Sequence, residues 1–189
     1  NLRRIKEIDK HASRIEIFNS SLAIMRQGWY ISSGGKKVVL PSIEEVMGTA
    51  VLYNEPVHLL VDPMYPIHTE VYVENKDCVL AAKDLIDAGY NPAMLNLADL
   101  YTPGGLVEYG SGAQEENLCR RSNLILSLYQ FSRSRVAQYP DLCLVQHADQ
   151  YPMDERHGGV YSGVVTFFRS SESDGSMLLL SLIHISEPT

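Results

Sequence analysis

Residues 96–118 read Asn-Leu-Ala-Asp-Leu-Tyr-Thr-Pro-Gly-Gly-Leu-Val-Glu-Tyr-Gly-Ser-Gly-Ala-Gln-Glu-Glu-Asn-Leu, and no other stretch restricts the fold as much. A short apolar run at 93–97, bounded by Pro92 and Asp99, suits a buried strand. It opens into a loop holding Pro103-Gly104-Gly105, which leads to the paired carboxylates Glu115 and Glu116 at the start of a helix. Strand, glycine loop and helix in that order indicate an α/β chain, whose ligands bind beyond the carboxyl ends of the strands. Glycines there let the main chain approach a ligand, and helix N-termini accept phosphate. Two neighbouring carboxyls are the groups that acid/base cleavage of a glycosidic bond requires.

Each part also has a plain structural use. Most Gly-Gly pairs are turns, and acidic residues in a first helical turn interact favourably with the helix dipole by ~0.3–1 kcal/mol. Ser111-Gly112-Ala113-Gln114 fits a capping box, with Gln114 closing back on the Ser111 amide.

The rest of the chain supports an alternation of helices and strands. Ile15, Phe18, Leu22 and Met25 predict an amphipathic helix over 11–27, stopped by Gly28. Residues 29–31 and 37–40 flank Ser-Ser-Gly-Gly and predict a hairpin, with Lys36 and Lys37 in solvent. Ser42-Ile43-Glu44-Glu45 is a capping box for a short helix ending near Gly48. The proline-bearing residues 54–66 read as a surface connection, 68–74 as a strand and 77–88 as a helix with Val79, Leu80, Leu85 and Ile86 inward. Residues 115–131 predict another helix, and 142–146 and 160–168 two later strands. Together these predict one α/β domain, an α/β/α layered arrangement around a mixed sheet.

Composition narrows the function. With 189 residues, 45% hydrophobic, the chain can bury a sizeable core. A net charge of −7 excludes a general nucleic-acid binder, which carries a basic stripe, but permits an anionic nucleotide held by main-chain amides. No apolar run approaches the ~20 residues that span a membrane. Cys78, Cys119 and Cys143 have no zinc-ligand spacing and read as free thiols of a reducing, intracellular compartment, cytoplasmic or nuclear. His147, Asp149, Asp154 and His157 share a polar loop but match no metal motif. Arg120 and Arg121 suit a solvated or salt-bridged helix face; pairing with phosphate or with Glu116 is the alternative. Tyr101 or Tyr109 could stack on a base or cover a sugar, although 11 tyrosines make chance placement equally credible. Residues 180–189 look like the translation of a sequencing adapter, which gives a domain over 1–177 and a foreign tail over 178–189. A genuine strand over 178–185 is the other reading.

Residues 96–122 resemble the signature of the microbial type of poly(ADP-ribose) glycohydrolase, a catalytic branch of the macrodomain superfamily. The matching residues are Leu95-Asn96-Leu97-Ala98, Pro103-Gly104-Gly105, Gln114-Glu115-Glu116, Leu118 and Arg120-Arg121-Ser122, and weaker similarity extends over about 10–176. The resemblance implies a three-layer macrodomain-like fold truncated at its C-terminus, since the family's second phosphate loop lies further on. It implies poly(ADP-ribose) or ADP-ribosylated proteins as partners, with no cofactor and no metal. ADP-ribose would lie against Asn96, Asp99, Gly104, Gly105, Leu106, Val107 and Gln114, its diphosphate on the glycine loop. Glu116 would protonate the departing ribose 2′-oxygen and then activate water, while Glu115 orients ligand hydroxyls. An upward pKa shift on Glu116 would then come chiefly from the bound diphosphate and from Glu115. Two positions depart from the pattern: Leu106 replaces a third glycine, and Asp99 stands where the family commonly has Asn. Those departures leave a non-catalytic ADP-ribose reader as a competing expectation, and the expected truncation leaves an inactive fragment as another.

Overall fold

The computed structural model describes residues 2–56, 69–144, 149–171 and 177–186. Helix α1 (Leu2–Gln27) is followed by strands β1 (Trp29–Ile31) and β2 (Lys37–Val39), helix α2 (Ile43–Gly48) and strand β3 (Ala50–Tyr53). Next come helix α3 (Cys78–Asp87), strand β4 (Ala93–Leu95), and helices α4 (Gln114–Arg121), α5 (Leu124–Leu128) and α6 (Arg133–Gln138). Strands β5 (Gly159–Arg169) and β6 (Met177–Ser186) complete the order.

Local sequence accounts for the first half. Phe18, Leu22 and Met25 bury one face of α1, and Gly28 ends it at φ 74°, its amide donating to the Ile24 carbonyl at 2.9 Å. β1 and β2 form the expected antiparallel hairpin, with Tyr30 opposite Val38. Lys37 lies over the Trp29 ring at 4.3 Å. Ser42 caps α2 by accepting from the Glu45 amide at 3.1 Å.

A four-stranded mixed sheet, β3-β5-β6-β4, holds the second half. β5 runs antiparallel to both β3 and β6, and β4 lies parallel to β6. Val165 and Phe167 of β5 pack with Leu118, Leu124, Ile125, Leu128 and Tyr129 from the helices above. Side chains of that size contribute ~1.5–3 kcal/mol each when fully buried.

Several expectations are corrected. Residues 69–75 form no strand, and Val71, Tyr72 and Val73 point into solvent, because alternation needs a neighbouring strand to bond with. His68 lies outside the described residues. In α3 Val79 and Ile86 face the core as expected, joined by Ala82, whereas Leu80 and Leu85 are exposed. Residues 142–144 form a turn and coil, and 145–146 lie outside the described residues. β3 was hidden in sequence because it is only four residues long.

The predicted helix over 115–131 is broken at Ser122, which is extended at φ −145° and ψ −179°. Ser122 forms an isolated bridge with Phe167, and Asn123 binds the same strand. Its side-chain oxygen accepts from the Thr166 amide at 2.7 Å, and its own amide donates to the Thr166 carbonyl at 3.2 Å. β5 thus takes over two residues that would otherwise continue the helix. The break ties α4 directly to the centre of the sheet.

Candidate active site

β4 ends at Leu95, and Gln114 fixes the course of the chain beyond it. The Gln114 side-chain amide donates to the Leu95 carbonyl at 2.9 Å and accepts from the Leu97 amide at 2.6 Å. The capping box expected from Ser111 and Gln114 is therefore absent: Ala113 is the N-cap of α4 and makes no side-chain cap. The Gln114 side chain joins strand exit to helix start instead. Asn96, next in the chain, is fully buried. Asp99 folds the loop, its Oδ1 accepting from the amides of Tyr101 at 2.8 Å and Thr102 at 2.7 Å.

The glycine loop and the two glutamates meet. Glu115 accepts from the Asp99 amide at 2.9 Å and from the Gly104 amide at 3.0 Å, one on each oxygen. Glu116 accepts from the Leu106 amide at 3.1 Å. Gly104 and Gly105 have φ of 75° and 53°, where side chains are strained. A Cβ on Gly105 would lie 2.5 Å from Glu116 Oε1, and one on Gly104 would lie 3.0 Å from the Tyr129 ring. Sequence reasoning assigned these glycines to the approach of a ligand. The structure gives them a nearer purpose, the approach of Glu116 and Tyr129. The remaining loop amides also have internal acceptors, Gly105 donating to Thr102 at 2.9 Å and Val107 to Gly104 at 3.3 Å. The Val107 side chain is buried in the core, whereas Leu106, Tyr101 and Tyr109 project outward around the loop.

Two further sets of residues grip the loop, and neither was visible in the sequence. Arg135 of α6 donates to the Gly105 carbonyl at 2.8 Å and pairs with Glu108 at 2.6 Å. Glu108 also accepts from Tyr139 at 2.7 Å and from Gln138 at 2.9 Å, and the Arg135 guanidinium stacks over Tyr129 at 4.9 Å. From the other side, α1 places His11 Nδ1 at 3.2 Å from the Tyr109 carbonyl, and Arg14 donates to the Gly110 carbonyl at 3.3 Å. These groups lie 27 to 98 residues from their partners, so no local spacing announces them.

Of the two expectations for Arg120 and Arg121, the salt-bridged one holds for Arg121, and both side chains are buried rather than solvated. Arg121 grips Asp77, the N-cap of α3, through a fork with contacts of 2.9 and 3.0 Å. Burial pushes the Asp77 carboxyl up, but the Arg121 bonds and charge outweigh it and hold the group below its usual range. Arg120 donates to the Ser111 carbonyl at 2.7 Å, another anchor for the loop.

Glu115 carries the notable electrostatics. Burial raises its pKa to about 7, against the opposing pull of the Asp99 and Gly104 amides, with the Glu116 and Asp99 charges adding to the rise. The main cause of the rise on Glu115 is desolvation rather than a neighbouring anion. A carboxyl with a raised folded-state pKa binds more protons in the folded chain than in the unfolded one. Its stabilising effect is full below about pH 4.5 and is lost as pH rises to about 7, a loss of at most about 3 kcal/mol. Thermal melts at about pH 5 and about pH 8 check this, with Glu115→Gln expected to lose less stability between them than the parent chain. Equal losses in both proteins would rule Glu115 out as the titrating group.

Among the described residues no three His, Cys, Asp or Glu side chains are grouped for a metal, and His147 lies outside them. Cys78, Cys119 and Cys143 are free, the last two buried. No described helix is long and apolar enough to cross a membrane.

Residues 19–170 match the family model of the microbial-type PARG catalytic domain. No curated protein matches the chain. Among solved structures it is similar to poly(ADP-ribose) glycohydrolase (PARG) from Thermomonospora curvata, with 25% identity and a TM-score of 0.68 over 93% of this chain and 63% of that one. The same bacterial protein bound to the inhibitor ADP-HPD gives 24% identity and a TM-score of 0.64, over 93% of this chain and 62% of that one. PARG from Deinococcus radiodurans in complex with ADP-ribose gives 24% and 0.51, over 80% of this chain and 58% of that one. The chain therefore spans less than two thirds of the length of these relatives. The loop, both glutamates and the Arg135 clamp all fall inside the matched residues, and the chain belongs to the family of microbial-type PARG catalytic domains.

Proposed function

We propose that this domain hydrolyses the ribose–ribose O-glycosidic bonds of poly(ADP-ribose) and releases ADP-ribose, with Glu116 as general acid and then general base. The observation that carries the reading is the junction of glycine loop and acid pair, with Gly104 bonded to Glu115 at 3.0 Å and Leu106 to Glu116 at 3.1 Å. Glu116 delivers a proton to the departing ribose 2′-oxygen as the glycosidic C–O bond opens. It then takes a proton from the water that attacks the oxocarbenium-like carbon, so acid and base roles close the cycle. Glu115 orients a ligand hydroxyl, and its carboxyl stays protonated up to about pH 7. The ligand's diphosphate lies on the loop, where it takes over an amide now bonded within the chain or finds a donor at the rim. Asn96 and Asp99 flank the distal ribose. On the same reading the helices and the mixed sheet form a three-layer macrodomain arrangement, and the partners are poly(ADP-ribose) or ADP-ribosylated proteins.

A second reading, an ADP-ribose reader without turnover, is favoured by one observation. Leu106 places an exposed side chain on the loop where the family pattern has glycine. Incubation with poly(ADP-ribose), followed by chromatography of the products, separates the two. Free ADP-ribose is the expected result; polymer retained on the protein without release would replace the hydrolase by the reader.

A further inference from the structure

We infer that Arg135 is a positioning residue for the acid at Glu116, acting through the single peptide unit that joins Gly105 to Leu106. The inference rests on the hydrolase reading for its kinetic consequence, though not for its geometry. In a trans peptide the carbonyl oxygen and the amide hydrogen point to opposite sides of one rigid plane. Here the two ends of that plane are held by different side chains. Arg135 donates to the Gly105 carbonyl at 2.8 Å, and the Leu106 amide donates to Glu116 at 3.1 Å. Drawing the carbonyl toward α6 therefore turns the amide toward Glu116. Gly105, at φ 53°, has no Cβ to hinder rotation of this plane, so its own stereochemistry does not hold the orientation.

The holder is well built. Arg135 is nearly buried, its other nitrogen is paired with Glu108 at 2.6 Å, and its guanidinium lies 4.9 Å over the Tyr129 ring. A planar fork bonded on two sides and stacked on a third has little freedom to move. A positive charge at the carbonyl end also polarises the peptide and makes its N–H a better donor. The Glu116 carboxyl is thereby set in one place by a residue that need not touch the ligand.

The test uses the whole chain and two readouts. In the double variant Arg135→Gln/Glu108→Gln, which removes both charges together, exchange of the Leu106 amide hydrogen is expected to accelerate about tenfold or more. Turnover on poly(ADP-ribose) is expected to fall about 10- to 100-fold through kcat, because the acid loses its alignment. KM should change by less than about threefold, since binding contacts remain. Arg135→Lys, which keeps the charge but offers one ammonium group in place of the fork, should recover part of kcat and leave Leu106 exchange between the two extremes. If the double variant does not fold, Arg135→Lys is read alone, with exchange faster than in the parent expected. Unchanged kcat in a folded double variant overturns the inference, as does a KM rise matching the loss of turnover. If the parent chain itself releases no ADP-ribose, the hydrolase reading fails. Leu106 exchange then decides the fate of Arg135 by itself, and unchanged exchange sinks it.

Discussion

Glu116→Gln is expected to lower turnover on poly(ADP-ribose) by about 10²- to 10⁴-fold, the usual contribution of a positioned general acid/base. The substitution is nearly isosteric, and its remaining oxygen can still accept from the Leu106 amide that Glu116 holds at 3.1 Å. What it removes is the transferable proton. Glu116 is only 5% exposed, so replacing an ionisable group there by a neutral one should leave the fold intact or slightly more stable. ADP-ribose binding, measured by calorimetry, should therefore persist while product release stops. Turnover within about tenfold of the parent would remove Glu116 from the mechanism and shift attention to Glu115.

The second large effect is expected from Gly105→Ala. An alanine there would carry a backbone conformation at φ 53° that costs ~1–2 kcal/mol. It would also put a methyl carbon 2.5 Å from Glu116 Oε1, well inside contact distance. The carboxyl must then move, and the Leu106 bond is lost with it. Turnover should fall about 100-fold or more, because small misplacements of a catalytic group have effects of that size. Gly35→Ala is the control: it has φ 78° in the hairpin turn, with nothing within 4 Å of the added carbon. Both variants should melt at lower temperature, but only Gly105→Ala should lose activity. Equal activity in the two would show that the crowding against Glu116 is relieved at no functional cost.

How far the sequence could be read depends on whether its information was local. The hairpin turn, the Ser42 cap and the α1 face were legible because each is set by residues within a few positions of one another. The strand-loop-helix order around Gly104 and the carboxylate pair was legible for the same reason, aided by family resemblance. The helix over 115–131 was misread because helical periodicity continues through Ser122, and only the distant strand β5 reveals why the helix stops. For Arg121 a salt bridge was legible but its partner was not, since Asp77 lies 44 residues away, and the burial of both arginines was equally hidden. The strand expected at 68–74 failed in the opposite sense over 69–74, where alternation is present but no strand pairs with it among the described residues. Least legible was the support of the site. Arg135, Glu108, His11 and Arg14 carry no motif, and their relevance comes entirely from the fold that brings them to the loop.

The interruption at Ser122 has a mechanical consequence. With Asn123 fastened to Thr166 by two bonds, the short helix bearing both acids is in effect a bracket bolted to the middle of the sheet. Those two bonds restrain the C-terminal end of that helix against the central strand. A longer, freely floating helix would let the two acids drift relative to the strand ends; here they share one frame of reference with them.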